Sequence, residues 1–314
     1  MKKFIYLISC LLLVGVCSCG EDALTPSEPM SFGEFPQGNA SYDREIVEFY
    51  NTYGVQVLYR FAEADFRWNI TEYIPYHAVE AETSSIGEGW NFLKENCLSI
   101  WSDDFLRKYM PYRILLASEI YSLKDTYQYD DEGNKIYQKI PKEAMYGLNH
   151  LTFGAVNSSL SSLSVAEKKE LIGEVAFAIT GYATSKGKME VPEKFQTYHD
   201  EYIDHSGGDY EGEWGYNGGG CLEYRDGGMD YYYDFGLFVK YLVMMSKEEF
   251  ENKFLTEEFD CGIQYDASWN PIKGYPIRNK YEAVIEYFKN TLGIDLHEIG
   301  ARICLLYTSP SPRD

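Results

Sequence analysis

The stretch Ser164-Val165-Ala166-Glu167, followed by Leu171, Ile172, Val175, Ala176, Ile179 and Tyr182, constrains the fold more than any other part of the chain. A serine hydroxyl that can accept from the third helical amide, with a glutamate there reaching back, is a capping box. The apolar residues after it recur at three- and four-residue spacing. The pattern predicts a long helix whose apolar stripe needs a core to cover it.

The segments before this helix read as mixed helix and strand. Ile46, Val47, Phe49, Tyr50 and Tyr53 fall at helical spacing and Gly54 stops them, after which Val55, Val57 and Tyr59 alternate as a strand does. Ser102 with Asp103 and Asp104 can cap a helix that Pro111 ends, and Ile114 to Ala117 reads as a buried strand. Thr126-Tyr127-Gln128-Tyr129 and Lys135-Ile136-Tyr137-Gln138 flank an acidic turn, which predicts a hairpin, and Leu151 to Val156 is a further strand. The acidic turn lacks the alternating carboxylates of a calcium loop. Asp204 to Gly228 predicts a long loop, and helices follow over Tyr231 to Met245, Lys247 to Leu255 and Ile277 to Leu292. The expected class is α+β: a mixed N-terminal α/β part with the capped helix, then a mainly helical C-terminal half.

Charge limits the partners. With 28 Lys+Arg against 49 Asp+Glu the formal charge is −21, the opposite of the basic footprint that phosphate backbones require, so no nucleic-acid partner is expected. The aromatic share of 16%, with 29 Tyr, suits a rigid core or a surface that stacks on ligands.

Both ends carry segments of another kind. Lys2 and Lys3 precede the apolar run Phe4 to Val16, too short to cross a bilayer and of the form of a secretory signal core. Val16-Cys17-Ser18-Cys19 resembles a bacterial lipobox, with Cys19 as the expected lipidated residue and Cys17 as the alternative, and Gly20-Glu21-Asp22 is similar to the surface-export signals of Gram-negative lipoproteins. Residues 1–18 are expected as signal peptide and 19–40, with Pro26, Pro29 and Pro36, as an extended tether. The expected address is the outer membrane, lipid-anchored and facing outward. Residues 304–314 resemble an in-frame translation of a sequencing-library adapter and are expected to be non-native. Within the folded part Cys97, Cys221 and Cys261 remain, which is too few for a disulfide framework.

Familiar catalytic patterns fail. The chain has no Gly-x-Ser-x-Gly elbow, and Gly181 to Met189 imitates a phosphate loop with the wrong spacing and Met189 in place of the magnesium-binding hydroxyl. A zincin needs His-Glu-x-x-His, because residues four apart on a helix aim two imidazoles at one metal while the glutamate polarises its water. His297-Glu298 begins such a motif, but Ala301 stands where the second ligand belongs, and an exposed pair after the last helix is the simpler reading. His199 and His205, six apart, would point roughly 240° from each other on a helix, so a shared metal would require a loop there.

In order and spacing, Gly54 to Arg60, Arg107 to Ser118, Phe153 to Asn157, Val191 to Phe195, Tyr233 to Leu237 and Asn279 to Leu296 resemble the zinc-binding metallopeptidase lipoproteins of gluzincin type that accompany outer-membrane glycan-uptake systems. The resemblance implies a single zincin-like domain over 41–303, divided into parts 41–182 and 183–303, with the capped helix in the active-site position. It also implies a loss. Where the family carries His-Glu-x-x-His this chain reads Gly173-Glu174-Val175-Ala176-Phe177, and the third ligand falls on Leu237. Gly173, Phe177 and Leu237 cannot bind zinc, and Glu174 alone has no metal-bound water to activate. The expected protein is therefore a pseudoenzyme without a metal cofactor. It would serve an uptake complex by binding a glycan or peptide, with Trp214, Tyr216, Tyr231, Tyr232 and Tyr233 as candidate stacking residues. The alternative is an active zinc metallopeptidase with relocated ligands among His199, His205 and His297.

Overall fold

The computed structural model describes residues 35–67, 76–205, 220–225, 229–260, 262–265 and 271–308, all within one unit running from Phe35. Trp214 and Tyr216 lie outside the described residues, as do Cys19 and Cys261.

The chain opens with helix α1 (Ser41–Tyr53), closed by Gly54 in the left-handed conformation at φ 72°, and strand β1 (Gln56–Leu58). The fold reaches back into the segment expected as tether, where Gln37 donates to the Arg60 carbonyl and accepts from the amides of Tyr59 and Arg60. Next come the short helix α2 (Glu63–Phe66), strand β2 (Tyr76–Glu80), helix α3 (Ile86–Phe92) continuing through a π-helical stretch Leu93–Leu98, and helix α4 (Asp103–Tyr109). Ser102 caps α4 by accepting from the Phe105 amide.

Strand β3 (Arg113–Tyr129) is the spine of the sheet. Its first residues pair in parallel with β1 on one side and with β6 (His150–Phe153) on the other; β5 (Ala144–Tyr146) adds an antiparallel edge to β6. The outer part of β3 turns away as a long ribbon, paired antiparallel with β4 (Lys135–Lys142) and β2. The exchange of partners falls at Ser118, where a bulge leaves Val79 opposite Glu119 but Glu80 opposite Ala117. Asn157 fixes that bulge, its side-chain amide donating to the Ser118 carbonyl at 2.5 Å.

The unbroken apolar run Ile114 to Ala117 has a physical reason, because both faces of the sheet are covered. Ile114 and Leu116 face the main core, whereas Leu115 and Ala117 join Leu58, Phe61, Phe66, Ile120 and Met145 in a smaller cluster on the opposite face.

The capped helix is α5 (Val165–Ser185). Its box is formed, with the Ser164 amide donating to Glu167 at 2.7 Å. The predicted single stripe is a correction: every residue from Leu171 to Thr184 is buried, because α5 lies between the sheet and the helical half. That half comprises α6 (Glu193–His205), α7 (Tyr231–Met244), α8 (Lys247–Phe254), the small hairpin β7 (Ile263–Tyr265) and β8 (Pro271–Lys273), α9 (Pro276–Thr291) and α10 (Leu296–Thr308). Helix α10 was not foreseen; it continues beyond Ile303 and packs on α7. The class is α+β as expected. Among the described residues, no helix is long and apolar enough to cross a membrane.

Candidate functional site

Gly173, Glu174, Phe177 and Leu237, the positions the resemblance singled out, meet at one place, the crossing of α5 and α7. Gly173 and Phe177 are four apart on α5 and so share a face. A Cβ on Gly173 would come 3.0 Å from the Met244 sulfur and 3.1 Å from Cγ of Lys240, so glycine is what lets the helices approach this closely. Across the junction, Gly236 leaves room for the Phe177 ring, which a Cβ there would meet at 2.9 Å. Phe177 also takes the Tyr233 ring edge-on at a centroid distance of 4.9 Å. Leu237 and Phe177 are both buried, so apolar volume fills two of the three positions at which the resemblance implied ligands.

Glu174 is buried as well, and it is occupied. Its Oε1 accepts from the Lys240 ammonium at 2.7 Å and its Oε2 faces the Lys142 ammonium at 3.4 Å. Lys240 in turn lies 2.6 Å from Glu170 and 3.4 Å from Glu223, and Tyr241 donates its hydroxyl to Glu223 at 2.6 Å. Glu170 and Glu174 are one helical turn apart on α5, while Lys240 lies one turn beyond Leu237 on α7, so the pairing follows from the helix crossing. Burial alone would raise the Glu174 pKa, but the charges of Lys142 and Lys240 outweigh it and hold the carboxyl below its usual value. For Lys240 burial would lower the pKa, and the Glu174 and Glu223 charges reverse that and raise it. Glu174 therefore meets core partners, and it and Lys240 form an ion pair at neutral pH.

The cleft beside the cluster, of about 290 Å³, lies between the inner ribbon and the first turns of α5. Glu119, Lys142, Glu143, Glu167 and Glu170 line it above Ile120 and Leu171.

The tyrosines expected as platforms divide. Tyr233 carries the Arg225 guanidinium 4.1 Å above its ring in addition to its contact with Phe177. Tyr231 packs on Tyr232 at 4.2 Å, and Tyr232 is exposed.

The histidines are placed apart. His199 is buried on α6, with Nδ1 2.9 Å from Asp234 and Nε2 3.1 Å from the Met229 carbonyl. The Lys280 ammonium also reaches Asp234, at 2.7 Å, and donates to the Gly220 carbonyl at 3.0 Å. His205 ends the same helix, so the loop that a joint site would have needed is absent there. The expectation of an exposed His297 is corrected: it is half-buried in the first turn of α10 and its Nε2 lies 2.8 Å from the Tyr281 hydroxyl. Among the described residues, no group of three or more His, Cys, Asp or Glu is arranged to hold a metal ion.

Sequence reasoning located Glu174 but missed Lys240, Glu170 and Glu223. A lysine inside Phe-Val-Lys-Tyr-Leu-Val, on a helix whose only other charged residue is Asp234, was the available signal for a buried cation in need of carboxylates.

No protein-family model matches the chain, and no curated protein sequence matches it. Among solved structures, the crystal structure of a "putative zinc-binding metallo-peptidase" from Bacteroides caccae shares the fold with a TM-score of 0.51, covering 84% of this chain and 90% of that one at 15% identity. At that identity the likeness is one of fold: the chain has a metallopeptidase-like architecture.

Proposed function

We propose that this chain is a lipid-anchored outer-membrane surface protein that retains a metallopeptidase-like fold without peptidase chemistry and binds a glycan or peptide for a nutrient-uptake system. One observation carries the non-catalytic part: Glu174, the retained position of the motif, is held by Lys240 and Lys142 while Phe177 and Leu237 are packed into the core. The donor set that zinc would need does not fit, since Gly173, Phe177 and Leu237 offer no lone pair and the nearby carboxylates already face an ammonium. The anchor rests on the lipobox-like Cys19, and the ligand class on the resemblance together with the exposed Tyr232 and the aromatic residues Trp214 and Tyr216 of the sequence.

The test has two arms. Metal analysis and a peptide-cleavage screen on the purified protein are expected to show neither stoichiometric zinc nor turnover. A glycan and peptide array with Trp214→Ala as control is expected to show binding that the variant weakens. Zinc that is lost on mutating His199 or His205 would establish the relocated-ligand peptidase instead.

A further inference from the structure

The ribbon of β3 and β4 carries a surface far from the crossing of α5 and α7. Among the described residues, the largest group of exposed large apolar side chains stands on it: Leu123, Tyr127, Tyr129, Ile136, Tyr137 and Ile140. Strand register sorts them, because opposite residues of paired strands share a face and neighbours along a strand alternate. Tyr129 is opposite Lys135, Tyr137 opposite Asp125 and Leu123 opposite Lys139, so these six share one face, and Ile136 and Ile140 take the other.

The inner end of the tyrosine face is closed. Tyr121 has the His77 ring stacked on it at 5.2 Å and the Lys139 ammonium 3.9 Å from its centre. The outer end is open, with Tyr137 50% and Tyr129 62% exposed. These two are diagonal neighbours on the ribbon, roughly 7–8 Å apart between Cα atoms. The opposite diagonal is a salt bridge, Lys135 Nζ to Asp125 Oδ2 at 2.6 Å, and further in Lys139 meets Glu119 at the same distance. The hydrogen bond from Lys135 holds the Asp125 carboxyl below its usual value, so that pair is charged at neutral pH.

Tyr127, next to this end, is 87% exposed at φ 59°, a left-handed conformation that a bulky residue keeps only where its surroundings enforce it. Here they do: Asp125 Oδ1 accepts from the Tyr127 amide at 2.8 Å, and the Thr126 hydroxyl donates to the Ile136 carbonyl at 2.6 Å. A strained backbone is thus retained at the point where a third ring is held outward.

From this arrangement we propose that the outer end of the ribbon face is a binding site for a neutral oligosaccharide, which stacks on Tyr137 and Tyr129 and hydrogen-bonds its hydroxyls to Asp125 and Lys135. The site rests on the glycan-binding reading above and adds where the glycan sits and what charge it carries.

The chemistry selects the occupant. A sugar ring is apolar on its C–H face and polar at its edge, so it matches an exposed tyrosine with a donor and an acceptor beside it. The two salt bridges pair the charges of this face one to one, which leaves nothing to draw a charged ligand. A second copy of the chain would bring a formal −21 against −21. A peptide strand would add along the edge of β4, and Lys135, Lys139, Pro141 and Lys142 are the residue types that guard an edge against strand addition.

The experiment runs the full chain by affinity electrophoresis through gels containing hydroxyethylcellulose, glycogen, laminarin or galactomannan, with polygalacturonate as the charged control. Calorimetry with the matching oligosaccharide gives the Kd. The variants are Tyr129→Ala/Tyr137→Ala, Tyr129→Phe/Tyr137→Phe and Trp214→Ala, each checked for folding by circular dichroism. At least one neutral polysaccharide is expected to retard the wild type, the alanine pair to weaken binding about tenfold or more, and the phenylalanine pair, which keeps both rings, to retain it. Binding that Trp214→Ala weakens and a folded alanine pair does not overturns the inference and leaves the glycan reading standing. Retention by polygalacturonate alone, or by peptides alone on the array, overturns it as well, as does a wild-type dimer in light scattering that the alanine pair dissociates without any retardation. Binding of neither glycan nor peptide in any assay overturns both readings. Where the alanine pair fails to fold, acetylation of the wild type by N-acetylimidazole decides: the retarding polysaccharide is expected to protect Tyr129 and Tyr137 in peptide maps, and unprotected rings overturn the inference.

Discussion

Lys240 Nζ lies 2.7 Å from Glu174 Oε1, although the two residues are 66 positions apart in the chain. Removing one partner of a buried pair strands the other, so Lys240→Met is expected to lower stability by about 3 kcal/mol, the low end of the range because Glu170 and Glu223 are partly solvated. Glu174→Gln, which keeps an acceptor, should cost less, and a Glu174→Leu/Lys240→Leu double variant should cost less than the sum of its singles. Urea unfolding monitored by fluorescence measures all of these; strict additivity would show that the pair is not coupled.

The same pair sets an acid limit. The Glu174 carboxyl has a folded-state pKa below its ordinary value of 4.5, so its contribution is complete above pH 4.5 and is lost as pH falls through the lower folded value. Thermal melts of the wild type should therefore lose stability below about pH 4.5 more steeply than those of Glu174→Gln.

A separate window belongs to His150. Its Nε2 lies 2.8 Å from the Phe66 carbonyl, its Nδ1 3.0 Å from the Thr152 hydroxyl, and burial pushes its pKa down to about 4 from 6.5. The unfolded chain binds a proton there that the folded chain does not, so stability is complete above pH 6.5 and declines as pH falls from 6.5 towards 4. Replacing His150 with Gln should lower overall stability yet flatten that slope, a combination that melting curves at pH 5 and pH 7 would resolve.

Gly300 is the seat of α10 on α7. A Cβ there would come within 2.6 Å of the Leu242 carbonyl oxygen and closer still to that of Met245, both backbone atoms that cannot rotate away. Gly300→Ala is expected to cost about 3 kcal/mol and lower Tm by roughly 6–12 °C. Calorimetry would detect it, and an unchanged Tm would mean that α10 does not dock as described.

Cys97 is completely buried, and burial raises its thiol pKa; the Cys221 thiol is pushed up to about 12 by burial first and by the Asp234 charge second. Neither thiolate is available near neutral pH. Peptide mapping after iodoacetamide treatment should find both unmodified in the native protein and modified in urea.

The parts of this fold that the sequence disclosed are those whose signals are local. Ser164 and Glu167 are three residues apart, and the run Ile114 to Ala117 is contiguous, so both the helix and the strand could be read directly. What escaped depended on partners distant in the chain. The stripe on α5 became burial on all sides only because the sheet and α7 close over opposite faces. Lys240 acquired its meaning from Glu170, Glu174 and Glu223, which no window around residue 240 contains together. Helix α10 is the exception, because its signal is local: Asp295 accepts from the amides of His297 and Glu298, but it follows directly on Gly293, the true stop of α9, and so reads as part of an exit rather than a new start.

The bulge at Ser118 works as an elbow. On its inner side β3 is clamped between two parallel strands, and on its outer side it becomes a lever ending near Tyr127 and Tyr129. The lever's return strand finishes at Lys142, which touches Glu174. A push at the tip has two ways inward, through the elbow or along the return strand to the ion cluster. Asn157 holds the elbow by its side-chain amide, and backbone bonds from Val156 to Ala117 and from Gly154 to Glu143 tie both strands of the ribbon to the body at the same place, so the angle at which the ribbon leaves is fixed from outside the ribbon itself.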